Sequence, residues 1–132
     1  MKVLFICRAN VGRSQAAMSL YNQLYSSGAS SAGTKVAETG ELLADRPGAE
    51  NIISVMQEYG LDISKNTRIQ VTQELAQHFD KLIVMAEPET IPEWLLQSAK
   101  TDIWTIQDPK GQDIPSTRRI VKEIEQKVKH LH

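Results

Sequence analysis

A chain of 132 residues can bury one hydrophobic core without disulfides or structural metal and is too short to suggest a second domain, so residues 1–132 read as a single domain. Fifteen lysines and arginines against sixteen aspartates and glutamates leave a net charge of −1, which argues against a nucleic-acid-binding face or a polybasic membrane anchor; any anion site has to be built locally. One cysteine excludes an internal disulfide and suits a reducing compartment, and no stretch approaches the roughly 18 apolar residues that cross a bilayer. A cytoplasmic location is expected, because the Val3–Ile6 run is also too short for the apolar part of a signal peptide, and the protein is taken as a monomer.

Val3-Leu4-Phe5-Ile6 is a continuous apolar run bounded by a polar loop, the pattern of a strand buried on both faces at the centre of a parallel sheet. From Ser14 the period becomes helical, with Ala17, Met18, Leu20, Tyr21 and Leu24 on one face up to Ser26-Ser27-Gly28. Ala29 to Val36 is small and polar and is taken as a second strand, and Glu38 to Pro47 as an exposed loop. Pro47 fits a first helical turn, and Ile52, Ile53, Val55, Met56 and Tyr59 carry an amphipathic helix stopped by Gly60. Thr72-Gln73-Glu74-Leu75 reads as a short capped helix, and Lys81 to Met85 as a buried strand. Pro88 and Pro92 bracket a turn and a helix bearing Trp94, Leu95 and Leu96. Ile103 to Ile106 is the next strand, Gln107 to Asp113 a loop, and Thr117 to Leu131 a final helix. Strands alternating with helices predict a three-layer α/β sandwich around a central, mostly parallel four-stranded sheet flanked by helices.

In such sheets ligands bind beyond the carboxyl ends of the strands, where both the Cys7 loop and the Asp108 loop emerge. The first of these loops, Cys-Arg-Ala-Asn-Val-Gly-Arg-Ser over residues 7 to 14, joins a lone thiol to an arginine and a helix start. Successive amides curling into a helix N-terminus form a concave nest, to which the helix dipole adds roughly half a positive charge. Arg8, Ala9, Asn10, Val11, Gly12, Arg13 and Ser14 are therefore candidates to hold a tetrahedral oxyanion against Cys7. Gly12 permits close backbone approach, Arg13 offers a planar fork for two oxygens, and the same positive environment favours a thiolate at Cys7. Ser14 is placed both to cap the helix and to donate to the sulfur, and Asn10 to pin the loop. Asp108, in an Asp-Pro turn after the last strand, could protonate a leaving oxygen and later take a proton from water.

Glu87 and Asp113 are read as bystanders, and Lys110, Arg118 and Arg119 as a solvated face. Trp94 and Trp104 are read as core or subsite wall. His78, His130 and His132 lack metal-ligand spacing and are given no role. No metal or cofactor is expected.

Taken together, Cys7 through Ser14, the Ser31-Ala32-Gly33-Thr34 segment and Asp108-Pro109 resemble the low-molecular-weight protein tyrosine phosphatase superfamily, which includes thiol-dependent arsenate reductases of the same fold. The resemblance implies that Cys7 attacks phosphorus to form a cysteinyl-phosphate, that Arg13 and the amides of residues 8 to 14 hold the oxygens, and that Asp108 acts as general acid and then general base. The substrate implied is a phosphorylated protein or small aryl phosphate, with phosphate and arsenate as competing anions. Phosphatases of this family usually carry proline after the Arg-Ser pair and an aromatic residue after Asp-Pro. Here Gln15 and Lys110 stand in those places, and Gly12 with Gln15 looks more like the reductase branch.

The thioredoxin-coupled reductases carry further cysteines after the strand matching Lys81 to Met85, where this chain has Ala86-Glu87-Pro88, so an internal disulfide relay is ruled out. A reductase using an external small thiol and a redoxin needs only Cys7 and is the alternative. Phosphomonoester hydrolysis is favoured because it requires only residues that are present. A phosphocarrier module with a loop phosphocysteine is the third reading, and Arg13 and Asp108 argue against it because a carrier must preserve its phosphocysteine.

Overall fold

The computed structural model describes residues 1–131; His132, given no role above, lies outside the described residues. Five apolar or small residues, Val3–Cys7, form β1, and every one of them is buried. Its neighbours are β2 (Ala29–Gly33) on one side and β3 (Lys81–Val84) on the other, with β4 (Thr101–Ile103) beyond β3, giving the order β2-β1-β3-β4. All three pairings are parallel, with Cys7 opposite Gly33 and Ile6 opposite both Ala32 and Val84.

Alternation along β1 sends successive side chains to opposite faces. Val3, Phe5 and Cys7 enter a core shared with α1 (Arg13–Tyr25), α2 (Glu50–Glu58) and α5 (Ile114–Lys129). Leu4 and Ile6 enter a smaller core with residues of α3 (Gln73–Ala76) and α4 (Glu93–Leu96). Helices therefore cover both faces, and the three-layer α/β sandwich is the observed fold. Trp104 packs against the first core, its ring 6.0 Å from that of Phe5, and Trp94 against the second.

Several boundaries differ from the sequence reading; β2, for one, ends at Gly33 rather than running on to Val36. The last strand is Thr101–Ile103 rather than Ile103 to Ile106, and its pairing ends with Trp104 N–H donating to the Val84 carbonyl at 2.9 Å. An edge strand needs no apolar outer face, so polar Thr101 and Asp102 pair while Ile103 stays half exposed. The apolar Trp104 and Ile106 that suggested a strand instead anchor the departing chain, and Ile106 is buried. Helix α2 starts at Glu50, not at Pro47, because Gly48 holds a left-handed φ of 93° that no helix accommodates. Helix α5 starts at Ile114, three residues before Thr117, because Asp113 caps it by accepting from the Ser116 amide at 2.8 Å.

The segment taken as an exposed loop, Glu38 to Pro47, contains a 3₁₀ turn at Leu43–Asp45 whose Leu43 is fully buried. It is stitched to the stretch 64–68: Leu43 N–H donates to the Asn66 carbonyl at 2.8 Å and Arg68 N–H to the Glu41 carbonyl at 2.8 Å.

Candidate active site

Cys7 ends β1, only 2% exposed, with its Sγ 3.0 Å from Ser14 Oγ. Asn10 takes a left-handed φ of 56°, tolerated by Asn better than by most residues, and this turns its side chain into the loop. Its Nδ2 donates to Ser14 Oγ at 2.7 Å, and its Oδ1 accepts from the Ile69 amide at 2.8 Å. Since Ser14 Oγ accepts from Asn10, its own hydrogen is available to the sulfur when that sulfur is a thiolate. Ser14 is not the helix cap: Gly12 occupies that position without a side-chain cap, and Ser14 lies inside the first turn. The hydroxyl therefore serves Cys7 rather than the helix end.

The loop is held from outside. Cys7 O accepts from Thr34 N–H at 2.8 Å and Arg8 O from Lys35 N–H at 2.9 Å. Ala9 O accepts from Arg68 Nε at 3.0 Å, and Asn10 O from Gln15 Nε2 at 3.2 Å. Four consecutive carbonyls thus have partners in the surrounding scaffold. Because each peptide is planar and trans, the N–H groups that follow them point the opposite way, as a concave anion cradle requires. The first-turn amides of α1, which have no intrahelical acceptor, add to the same cradle. Gly33 of the Ser31–Thr34 segment makes this packing feasible: a Cβ there would sit 2.6 Å from Arg8 O and 2.9 Å from Asn10 N.

Arg68 and Gln15 hold the loop through its carbonyls, a contact the sequence reading did not foresee for either residue. Arg68 is 2% exposed, and its Nη1 meets Glu41 Oε1 at 2.6 Å. Gln15 also reaches Thr67 O at 3.1 Å and accepts from Asn66 Nδ2 at 3.1 Å. Nothing local marks Arg68, since its partners lie 59 and 27 residues away along the chain.

Arg13 is buried and makes several contacts at once. Its Nη1 donates to Met85 O at 2.6 Å, to Glu87 Oε2 at 2.7 Å and to Ile106 O at 3.2 Å, while Nη2 donates to Glu87 Oε1 at 3.1 Å. Burial works against the guanidinium charge, but its hydrogen bonds to Glu87 and the nearby Cys7 and Asp108 more than offset it, so the pKa rises above its ordinary value. The same pairing lowers the pKa of Glu87 against its own partial burial. Glu87 is thus no bystander. The signal for it was positional: it follows β3 at the same sheet edge as Cys7. Asp113 keeps a purely structural place as the cap of α5.

Asp108 reaches the site from the loop after β4. Its Oδ2 lies 3.7 Å from Arg13 Nη2, and its Oδ1 accepts from the Lys110 amide at 3.0 Å, which fixes the carboxylate plane. A cavity of about 270 Å³ is lined by Cys7, Ala9, Val11, Gly12, Arg13 and Asp108, so these predicted residues meet in one place. Asn10 and Ser14 stand behind it, fully buried, and Arg8 is exposed outside the lining. The outer walls come from residues 46–52 and 108–112, and no aromatic side chain contributes among the described residues. Lys110, read as part of a solvated face, lines the mouth; Arg118 is on a distant surface, paired with Glu58 at 2.9 Å. Among the described residues no three His, Cys, Asp or Glu side chains are grouped to hold a metal ion, and no helix is long and apolar enough to cross a membrane.

Comparison with known proteins returns the same architecture. The chain is 30% identical over 132 residues to a glutaredoxin arsenate reductase of Synechocystis, covering 98% of this chain and 95% of that protein. A solved arsenate reductase in a phosphate-binding state is 27% identical, with a TM-score of 0.79 over 99% of this chain and 96% of its own. Wzb of Vibrio vulnificus in complex with benzylphosphonate shares the fold at a TM-score of 0.82 and 21% identity, covering 97% and 94% of the two chains. The family model described as low molecular weight phosphotyrosine protein phosphatase matches residues 2–132. With the fold, the loop geometry and this match in agreement, the chain belongs to the low molecular weight phosphotyrosine protein phosphatase family, an enzyme family with both phosphatase and arsenate reductase relatives.

Proposed function

We propose that the protein hydrolyses phosphomonoesters through a cysteinyl-phosphate. The observation that carries this reading is that Cys7 and Asp108 line one cavity with Arg13 between them, 3.7 Å from the Asp108 carboxylate. In the first step the Cys7 thiolate attacks phosphorus, the P–O bond to the leaving group breaks, and protonated Asp108 delivers its proton to the departing oxygen. The loop amides and Arg13 take the charge that develops on the non-bridging oxygens. In the second step the Asp108 carboxylate accepts a proton from water, the water oxygen attacks phosphorus, the P–S bond breaks, and phosphate leaves with the thiolate restored. Ser14 stabilises that thiolate in both directions of its use.

A second reading is supported by the 30% identical relative named a glutaredoxin arsenate reductase and by the Gly12-Arg13-Ser14-Gln15 run. In this reading Cys7 displaces an oxygen of arsenate to form a thiol–arsenic(V) adduct. An external small thiol then supplies the second sulfur, two electrons pass to arsenic, arsenite leaves, and a mixed disulfide on Cys7 is cleared by a redoxin. The aromatic-free cavity wall suits a small inorganic anion at least as well as a phosphotyrosine ring.

One purified sample assayed in parallel separates the two. Aryl phosphate hydrolysis that proceeds without added reductant and disappears in Cys7→Ser, with no arsenite formed, is the expected result. Arsenite formation that requires the thiol and redoxin, with hydrolysis at background, would replace the hydrolytic reading with the reductive one.

A further inference from the structure

We infer that Glu87 is a positioning residue that fixes which edge of the Arg13 guanidinium faces the oxyanion; this rests on the reading of Arg13 as an oxyanion holder. A guanidinium has two hydrogen-bonding edges, one across Nη1 and Nη2 and one across Nη2 and Nε. Glu87 closes the first edge with its two carboxylate oxygens, at 2.7 Å to Nη1 and 3.1 Å to Nη2. The Met85 and Ile106 carbonyls occupy Nη1 as well. What remains for a ligand is the Nε and outer Nη2 edge, and Nη2 is the nitrogen that lies nearest Asp108. A tetrahedral anion on Cys7 would therefore meet a fork whose plane is already set.

Glu87 is itself held firmly. Pro88 restricts its backbone to the extended region, where it sits at φ −62° and ψ 136°. Its carbonyl accepts from the Thr90 amide at 2.9 Å and from Thr90 Oγ1 at 2.8 Å. Thr90 Oγ1 in turn accepts from Thr34 Oγ1 at 3.0 Å. Thr34 is also bonded through its amide to Cys7 O. A continuous path thus joins the loop that carries the thiol to the carboxylate that orients the arginine, running outside the cavity and touching no reacting atom. This gives the threonine of the Ser31–Thr34 segment a part in the site that its distance from the reaction would not suggest.

Orientation and charge predict opposite signs for the loss of Glu87. Deleting a negative charge behind Arg13 would by itself strengthen anion binding, whereas freeing the guanidinium to rotate would weaken it. Bidentate geometry governs here, because Arg13 is buried and its useful edge is defined only by what closes the other one.

The test is titration calorimetry with inorganic phosphate on wild type, Glu87→Ala, Glu87→Gln, Arg13→Ala and the Arg13→Ala, Glu87→Ala double variant, with thermal unfolding of each. We expect phosphate binding to weaken at least tenfold in Glu87→Ala and less in Glu87→Gln, which keeps one acceptor, and no further loss when Glu87→Ala is added to Arg13→Ala. Affinity that stays within twofold of wild type, or that improves, overturns the inference, as does full additivity of the two losses. Should Glu87→Ala fail to fold, Glu87→Gln against the Arg13→Ala background decides alone. The measurement reads binding, so wild type that binds phosphate without hydrolysing any phosphomonoester would remove the hydrolytic reading while leaving this one standing. Wild type that binds no phosphate, with Arg13→Ala indistinguishable from it, would remove both.

Discussion

Gly12 lies directly beneath the ring of Pro109: a Cβ at position 12 would stand 2.6 Å from Pro109 Cγ. The loop that carries Arg13 and the turn that carries Asp108 therefore touch at the one residue without a side chain. Gly12 has a φ of −99°, which any residue can adopt, so it is this contact and not backbone conformation that demands glycine. Gly12→Ala should push the Asp-Pro turn outward and destabilise by about 1–3 kcal/mol, the usual range for overpacking. Chemical unfolding gives the stability change. A loss of kcat that is larger for poor leaving groups than for activated ones would place the displacement at Asp108.

Cys7→Ser should abolish turnover and leave phosphate binding within a few fold of wild type, since the cradle is built from amides and Arg13 rather than from sulfur. Residual turnover of an aryl phosphate above background would remove Cys7 as the nucleophile.

Asp108→Asn keeps the turn, because the Asn oxygen can still accept from the Lys110 amide, and removes the transferable proton. Hydrolysis of a poor leaving group should fall by about 10²–10⁴-fold, the range for general acid catalysis, and hydrolysis of an activated aryl phosphate much less. An equal fall on both substrates would make Asp108 structural.

Arg68→Leu tests the outer scaffold. It leaves the Ala9 carbonyl without its donor and Glu41 with only the longer contact to Arg46 at 4.0 Å, a loss that typically costs about 1–3 kcal/mol. A urea midpoint unchanged from wild type would show that the loop is held without it.

The Glu87–Arg13 pair also sets a pH dependence. Arg13 lowers the Glu87 pKa below the ordinary 4.5, so the folded carboxylate is the weaker base. Its contribution to stability is complete above that ordinary value and is lost as pH falls through the depressed one. The difference in unfolding midpoint between wild type and Glu87→Gln should stay constant from pH 7 to pH 5 and shrink only in more acid solution. A difference that fades between pH 7 and pH 6 would assign it to another group.

The sheet was legible because its central strands carry continuous apolar runs: Val3–Cys7 and, after Lys81, Leu82 to Val84 are buried in sequence, which no helix period explains. The edge strand was misplaced because pairing at an edge asks little of the side chains, while the apolar signal at Trp104 and Ile106 came from packing after the strand had ended. Cys7, Arg13 and Asp108 were visible through spacing and turn chemistry. Asn10 was visible as a loop pin, although its left-handed backbone was not. Glu87 and Arg68 act through partners far away in sequence, as Gln15 does through Asn66 and Thr67, and a linear pattern carries no distance in space. Ser14 shows the converse error, since a serine near a helix start looks like a cap whether its hydroxyl turns to the helix or to a sulfur.

The cavity is assembled from two kinds of parts. Its floor hangs from the central strand and is bolted by consecutive carbonyls, a buried arginine and a glycine contact, whereas its outer walls come from the start of α2 with the turn before it and from the loop after β4. Substitutions in those walls away from Asp108 and Pro109 alter what can enter without disturbing what is gripped. Selection can retune such a protein from one tetrahedral guest to another by drift at the rim alone, and a family that keeps one anion cradle while its members serve different chemistries is what that modularity would produce.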